Sequence, residues 1–204
     1  MAASRPTYTA EQALARLKSG NERFLSGQAR FPTVQKEVLA DLATGQQPYA
    51  TVLGCSDSRV PPELVFDAGF GELFIIRVAG NVLGPTIAGT LQYAGSHLHT
   101  PLFVVMGHEG CGAVQAALDA RFAGVTHGSR IETLLENILP ALDELEPDLS
   151  PEQRLHAAVE ANVRWTMRAL RESPEGRVRL ASKEVLLVGA VYELDTGRVR
   201  FLED

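Results

Sequence analysis

A chain of 204 residues with 45% hydrophobic and 22% charged residues is long enough to bury one substantial core and too short to require two. Its formal charge of −6 is spread through helical stretches rather than gathered in a tail, which excludes a basic nucleic-acid face and leaves a solvated acidic surface. No apolar run approaches the ~20 residues that span a bilayer, and no basic segment leads into an apolar run with a cleavage site, so a cytoplasmic protein without a membrane partner is expected.

In chain order, Thr9 and Gln12 stand at capping-box spacing at the head of a helix whose face is drawn by Ala10, Ala13, Leu14, Leu17, Phe24 and Leu25. Nearly continuous apolar runs at Tyr49 to Leu53, Leu73 to Val78, Leu102 to Met106 and Val185 to Val191 predict strands buried on both faces. A helix is expected over Ala113 to Ala120. Ser129 with Glu132 repeats the helix-start signal before Ile131, Leu134, Leu135, Ile138, Leu139 and Leu142. Ser150, Pro151 and Gln153 do so again before Leu155, Val159, Val163, Thr166 and Leu170. The tail, with Asp195-Thr196-Gly197 between Val185 to Tyr192 and Val199 to Leu202, predicts a hairpin at one edge. The fold class is α/β, with a mostly parallel central sheet, crossover helices, an N-terminal helical arm and an antiparallel C-terminal edge. A single domain over 1–204 is expected, with the arm over about 1–28 and the core over about 48–204.

The only two cysteines, Cys55 and Cys111, cannot make a disulfide scaffold for a chain of this size. Cys55 follows the first predicted strand, and His108 and Cys111 follow the third, where an open α/β sheet places its ligands. The His-x-x-Cys spacing lets two side chains converge on one ion, while Gly110 and Gly112 free the turn. Three soft ligands are what a catalytic zinc takes when its fourth position stays open for water. For Cys55 alone, a small buried hydrophobe is the competing reading.

Asp57 and Arg59 sit at alternate positions just past a buried strand, where opposite charges are costly unless they pair or meet a ligand. One reading is a structural ion pair. Another has Arg59 hold Asp57 ionised to accept a hydrogen bond from zinc-bound water. A third has Asp57 bind zinc itself and close the site.

Cys55-Ser56-Asp57-Ser58-Arg59 with His108-x-x-Cys111 resembles the signature of the β-class carbonic anhydrases of bacterial type. Asn21 to Phe24, Pro48, Gly71 to Phe74, Arg77 to Asn81, Gly89 to Tyr93 and Val188 to Tyr192 resemble that family in the same order. The resemblance implies Cys55, His108 and Cys111 as ligands of one zinc per subunit, and Asp57 with Arg59 as a catalytic dyad. It implies Gln46 and the Gly112 amide as donors to substrate, with Phe74, Ala79 and Tyr93 forming an apolar pocket for carbon dioxide. It further implies a homodimer or dimer of dimers with each site near the subunit interface.

The activity so implied is reversible hydration of carbon dioxide to bicarbonate and a proton, by attack of zinc-bound hydroxide. Carbonyl sulfide or carbon disulfide hydrolysis, and a non-catalytic zinc protein or bicarbonate sensor, are the alternatives. A family branch regulated by bicarbonate shares Arg77 but carries tryptophan where this chain has Val52, which argues against a bicarbonate pocket here. His97 and His99 are assigned to a solvated loop, His127 to a loop, His156 to a polar helix face and Trp165 to packing; Gly80 to Gly84 lacks a phosphate-binding pattern.

Overall fold

The computed structural model describes residues 8–30, 39–40, 42–128, 130–146, 148–183 and 185–203. Five strands, β1 (Ala50–Gly54), β2 (Leu73–Arg77), β3 (Leu102–His108), β4 (Leu186–Tyr192) and β5 (Val199–Phe201), form one sheet in the order β2-β1-β3-β4-β5. β2, β1, β3 and β4 are parallel, and β5 returns antiparallel with Tyr192 opposite Val199. Every residue of β1 is buried, as expected of a strand covered on both faces.

The parallel register fixes the site. Gly54 lies opposite Arg77 on one side and Met106 on the other, so the segments after β1, β2 and β3 emerge at one edge of the sheet. Helices α1 (Ala10–Leu25), α2 (Pro62–Val65), α3 (Pro85–His97), α4 (Gly112–Ala123), α5 (Arg130–Leu135), α6 (Pro151–Glu172) and α7 (Pro174–Ala181) surround it, with tight turns over Ala79–Asn81 and Leu139–Glu144.

Two of the three expected capping boxes form among the described residues. The Thr9 amide donates to Gln12 Oε1 at 2.9 Å and the Gln12 amide to Thr9 Oγ1 at 3.3 Å; Ser150 and Gln153 repeat the exchange at 3.1 and 3.3 Å. The chain itself covers part of the apolar stripe of α1: Ala13 and Leu17 are fully buried, while Leu14, Phe24 and Leu25 are partly exposed. Asn21 locks the helix in place by donating to the carbonyls of Val65 (3.1 Å) and Gly197 (2.9 Å) and accepting from the Val199 amide (2.9 Å). Arg16 lies against the rings of Tyr8 and Tyr49 and pairs with Glu72.

Two expectations change. The pattern running from Ile131 to Leu142 is not one helix: α5 ends at Leu135 and a tight turn begins at Leu139, because Pro140 has no N–H and its ring excludes the preceding turn. The Ser129 start signal for that segment lies outside the described residues. His97 belongs to no loop; it ends α3, its ring centroid 4.9 Å from that of Tyr93. Two glycines and β-branched Thr86, Ile87 and Thr90 hide α3 from periodicity, yet packing of Leu91, Ala94 and Gly95 selects helix. No helix among the described residues is long and apolar enough to cross a membrane.

Candidate active site

Cys55 is the first residue past β1, His108 the last of β3, and Cys111 the residue that opens α4. Gly110, at φ +60, turns the chain between the last two. All three side chains are buried, and one ligand atom from each lies within 4.8 Å of the others. The two sulfurs are 4.0 Å apart. A disulfide needs about 2.05 Å, whereas two zinc–sulfur bonds of about 2.3 Å at a tetrahedral angle span about 3.8 Å. The spacing therefore suits a shared ion and not a covalent bridge.

The imidazole is oriented for the same purpose. His108 Nδ1 lies 2.8 Å from the Glu109 carbonyl, which can only accept, so Nδ1 carries the proton and Nε2 keeps a lone pair. Nε2 is buried and has no hydrogen-bond partner among the described residues. Such an orphan is costly in a protein and is resolved by a cation at that point.

Electrostatics agree. With no cation between them, both thiols cannot ionise at this separation. A hydrogen bond from Cys111, outweighing burial and helped by His108 and the Asp57 and Gly80 amides, lowers Cys55 to about 4. The same bond, with burial, drives Cys111 upward, although the Ala113 and Val114 amides of α4 face its sulfur without closing a capping bond. A divalent ion removes this conflict by compensating both thiolates.

Asp57 stands at the rim of this cluster, its Oδ2 3.9 Å from His108 Nε2. Arg59 is its partner through side chain and backbone alike, and its hydrogen bonds hold the Asp57 carboxyl well below the usual carboxylate range against burial. Arg77 supports the loop from the end of β2, donating through Nε to the Cys55 carbonyl at 2.8 Å and through Nη2 to the Asp57 carbonyl. In the sequence only the family resemblance marks Arg77; its register opposite Gly54 makes it a brace for the loop that carries Cys55 and Asp57.

The expected substrate residues divide into two groups. Ala79 opens the turn directly after β2, and Gly112 is exposed at the first position of α4, so both lie at the edge that carries the cysteines. Gln46 is exposed in the loop before β1, which separates it from Cys55 by about 15 Å of strand. Phe74 lies opposite Thr51 in the amino half of the sheet, its ring 6.2 Å from that of the half-exposed Tyr93. Within one chain, then, Gln46, Phe74 and Tyr93 do not reach the metal cluster.

The carbonic anhydrase family model matches residues 50–199. The chain is 39% identical over 188 residues to carbonic anhydrase 2 of Mycobacterium tuberculosis, covering 89% of this chain and 87% of that one. It is 35% identical over 194 residues to the carbonic anhydrase of Mycolicibacterium smegmatis, covering 90% and 88%. Among solved structures, the β-carbonic anhydrase of Coccomyxa in complex with acetazolamide superposes with a TM-score of 0.74 at 26% identity, over 93% of this chain and 86% of that one. The Aspergillus fumigatus enzyme CafA gives the same score at 26% identity, over 95% and 90%. With the family model covering the four parallel strands and the buried Cys55, His108 and Cys111, the chain belongs to the β-class carbonic anhydrases and is an enzyme of that family.

Proposed function

We propose that this chain hydrates carbon dioxide reversibly to bicarbonate and a proton, on one zinc ion held by Cys55, His108 and Cys111. The observation that carries this reading is the buried, unpartnered His108 Nε2 facing two thiols at metal-sharing distance. When bound, zinc acidifies a water and so supplies hydroxide near neutral pH, less strongly with two thiolate donors than with three neutral histidines.

The remaining steps belong to the side chains. Asp57 Oδ2, the carboxylate atom nearest the ligand cluster, accepts a hydrogen bond from the attacking water and sets its orientation. Arg59 keeps that carboxylate charged and pointed, since its guanidinium fork and amide occupy Asp57 from the side. This grip also competes with any movement of Asp57 onto the metal. The free Gly112 amide, at the positive end of α4, donates to substrate oxygen. Ala79 contributes apolar wall.

Gln46, Phe74 and Tyr93 complete the pocket only if a second copy brings them to it, so the working enzyme is a homodimer or a larger assembly of dimers. Two free thiols in a metal site suit the reducing cytoplasm. The direct test pairs zinc content with stopped-flow hydration of carbon dioxide, in the presence and absence of acetazolamide, the compound bound to the Coccomyxa relative. A zinc-free active protein, or one without hydratase activity when zinc-loaded, overturns the proposal.

A further inference from the structure

Gly80 occupies a backbone position that suits glycine and no other residue. Its φ is +67°, and a Cβ there would lie 2.8 Å from Ile138 Cδ1 and 3.2 Å from Ala113 Cβ. Asn81 follows, also left-handed at φ +44°. Such a turn persists only where its surroundings over-determine it. Helix α6 does so from behind the sheet edge: Asn162 Nδ2 donates to the Gly80 carbonyl at 2.8 Å, and Thr166 Oγ1 donates to the Asn81 carbonyl at 3.5 Å.

Asn162 is fully buried, and its Oδ1 has no hydrogen-bond partner among the described residues. An apolar side chain of similar branching, such as leucine, would avoid that desolvation cost. What the amide achieves lies on the other side of the same glycine, where the Gly80 N–H donates to Cys55 Sγ at 3.4 Å. An N–H held on a thiolate withdraws charge from sulfur, and partners of this outer kind orient and tune metal ligands.

We propose that Asn162 is a positioning residue of the metal centre: its grip on the Gly80 carbonyl fixes the Gly80 N–H on the Cys55 sulfur and sets how strongly that sulfur donates to the ion. Asn162 touches neither metal nor substrate and acts only through Gly80. The inference rests on Cys55 being a metal ligand.

The test uses the zinc-loaded full chain and the variants Asn162→Leu, Asn162→Ser, Met167→Ala and Cys55→Ser. The rate of zinc transfer to a chromogenic chelator is measured, along with the thiolate-to-cobalt charge-transfer band after cobalt substitution. Both Asn162 variants release zinc about 10-fold faster or more, because the loop that holds Cys55 in place is loosened and this outweighs the richer charge of the freed sulfur, and that richer charge moves the charge-transfer band to lower energy. Asn162→Ser, which adds no volume to the buried site, carries the test if Asn162→Leu does not fold. Met167, buried on the same helix beside Gly189, reports loss of packing alone, and its alanine variant leaves band and release rate unchanged. A folded Asn162 variant with a wild-type band and release rate overturns the inference, as does an equal change in Met167→Ala. Wild-type zinc binding in Cys55→Ser removes the ligand reading beneath it, a result that the Asn162 variants cannot imitate.

Discussion

Arg59 holds both oxygens of Asp57, Nε to Oδ1 at 2.9 Å and Nη2 to Oδ2 at 2.7 Å, while its own amide donates to Oδ1 at 3.0 Å. The pair is closed within three residues of chain, so orienting it costs little beyond two side-chain rotamers. Half-exposed Arg59 gives this pair little value as a structural tie, because water screens it. Its value is in aiming Oδ2 toward the ligand cluster. Asp57→Asn preserves shape but removes the charge and one acceptor; hydration of carbon dioxide is expected to drop about 100-fold or more with zinc retained. Stopped-flow rates beside metal analysis check it, and near-wild-type turnover would return Asp57 and Arg59 to a structural role.

Cys111→Ser tests the metal reading from the ligand side. Serine keeps the volume but is a poor zinc donor, so zinc content after dialysis is expected to fall well below one per chain, and removing zinc from the wild type with a chelator should lower its melting temperature. Stabilisation follows because the ion binds the folded site and leaves the unfolded chain. Full zinc retention in Cys111→Ser with unchanged affinity would remove Cys111 from the ligand set.

A second charged cluster governs acid stability rather than chemistry. Asp67 is almost fully buried, and burial alone would raise its pKa; hydrogen bonds from Arg23 at 2.5 Å and from the Arg30 amide and Nε at 2.8 and 2.9 Å outweigh it and bring the pKa below the ordinary 3.8. A carboxylate whose folded pKa is depressed contributes stability that is complete above its unfolded value and is lost as pH falls through its folded value. Asp67→Asn is therefore expected to cost about 2 kcal/mol at neutral pH and almost nothing at strongly acid pH. Melting temperatures of the two proteins measured from pH ~7 downward should converge; parallel curves would show that the cluster adds no acid-labile stability.

The four parallel strands and the clustering of Cys55, His108 and Cys111 are legible in sequence for a simple reason: β1 is a nearly continuous apolar run, and the three residues stand at or just past the carboxyl ends of β1 and β3. What stays hidden is held by contacts distant in sequence. The brace from Arg77 to Cys55 and Asp57 depends on the register of β2 against β1, and the clamp of Asn162 on Gly80 spans 82 positions. α3 is masked by glycine and threonine, and the break at Pro140 was legible as a proline rule but was overridden by the apolar stripe around it.

Assembly follows from where the pocket residues stand. Ala10, Ala13 and Leu17 of the α1 stripe are buried within one chain, whereas Leu14, Phe24 and Leu25 stay partly exposed. Under the proposed function, a second copy is called for by Gln46, Phe74 and Tyr93, which are remote from their own chain's cysteines. Sedimentation at micromolar concentration is expected to show a dimer or larger species. Tyr93→Ala should lower activity without lowering zinc content, whereas a fully active monomer would contradict a shared pocket.

The depressed Asp57 carboxyl decides how an acid loss of activity is to be understood. Its hydrogen bonds with Arg59 keep it ionised far below neutrality, so it cannot be the group that titrates when hydration slows between about pH 9 and about pH 6. Under the proposed function that fall belongs to the nucleophilic water, whose pKa at a two-thiolate centre should lie above the ~7 of a three-histidine site. Buried Val52 supplies no tryptophan, and Arg77 is committed to the Cys55 and Asp57 carbonyls, so no cooperative bicarbonate switch is expected. The rate should follow a single titration, with zinc content and circular dichroism constant across the range. The residual activity of Asp57→Asn should fall over the same range. A flat profile would exclude a titrating nucleophile at the metal, and a slope well above one proton would show that a coupled conformational switch operates in this chain after all.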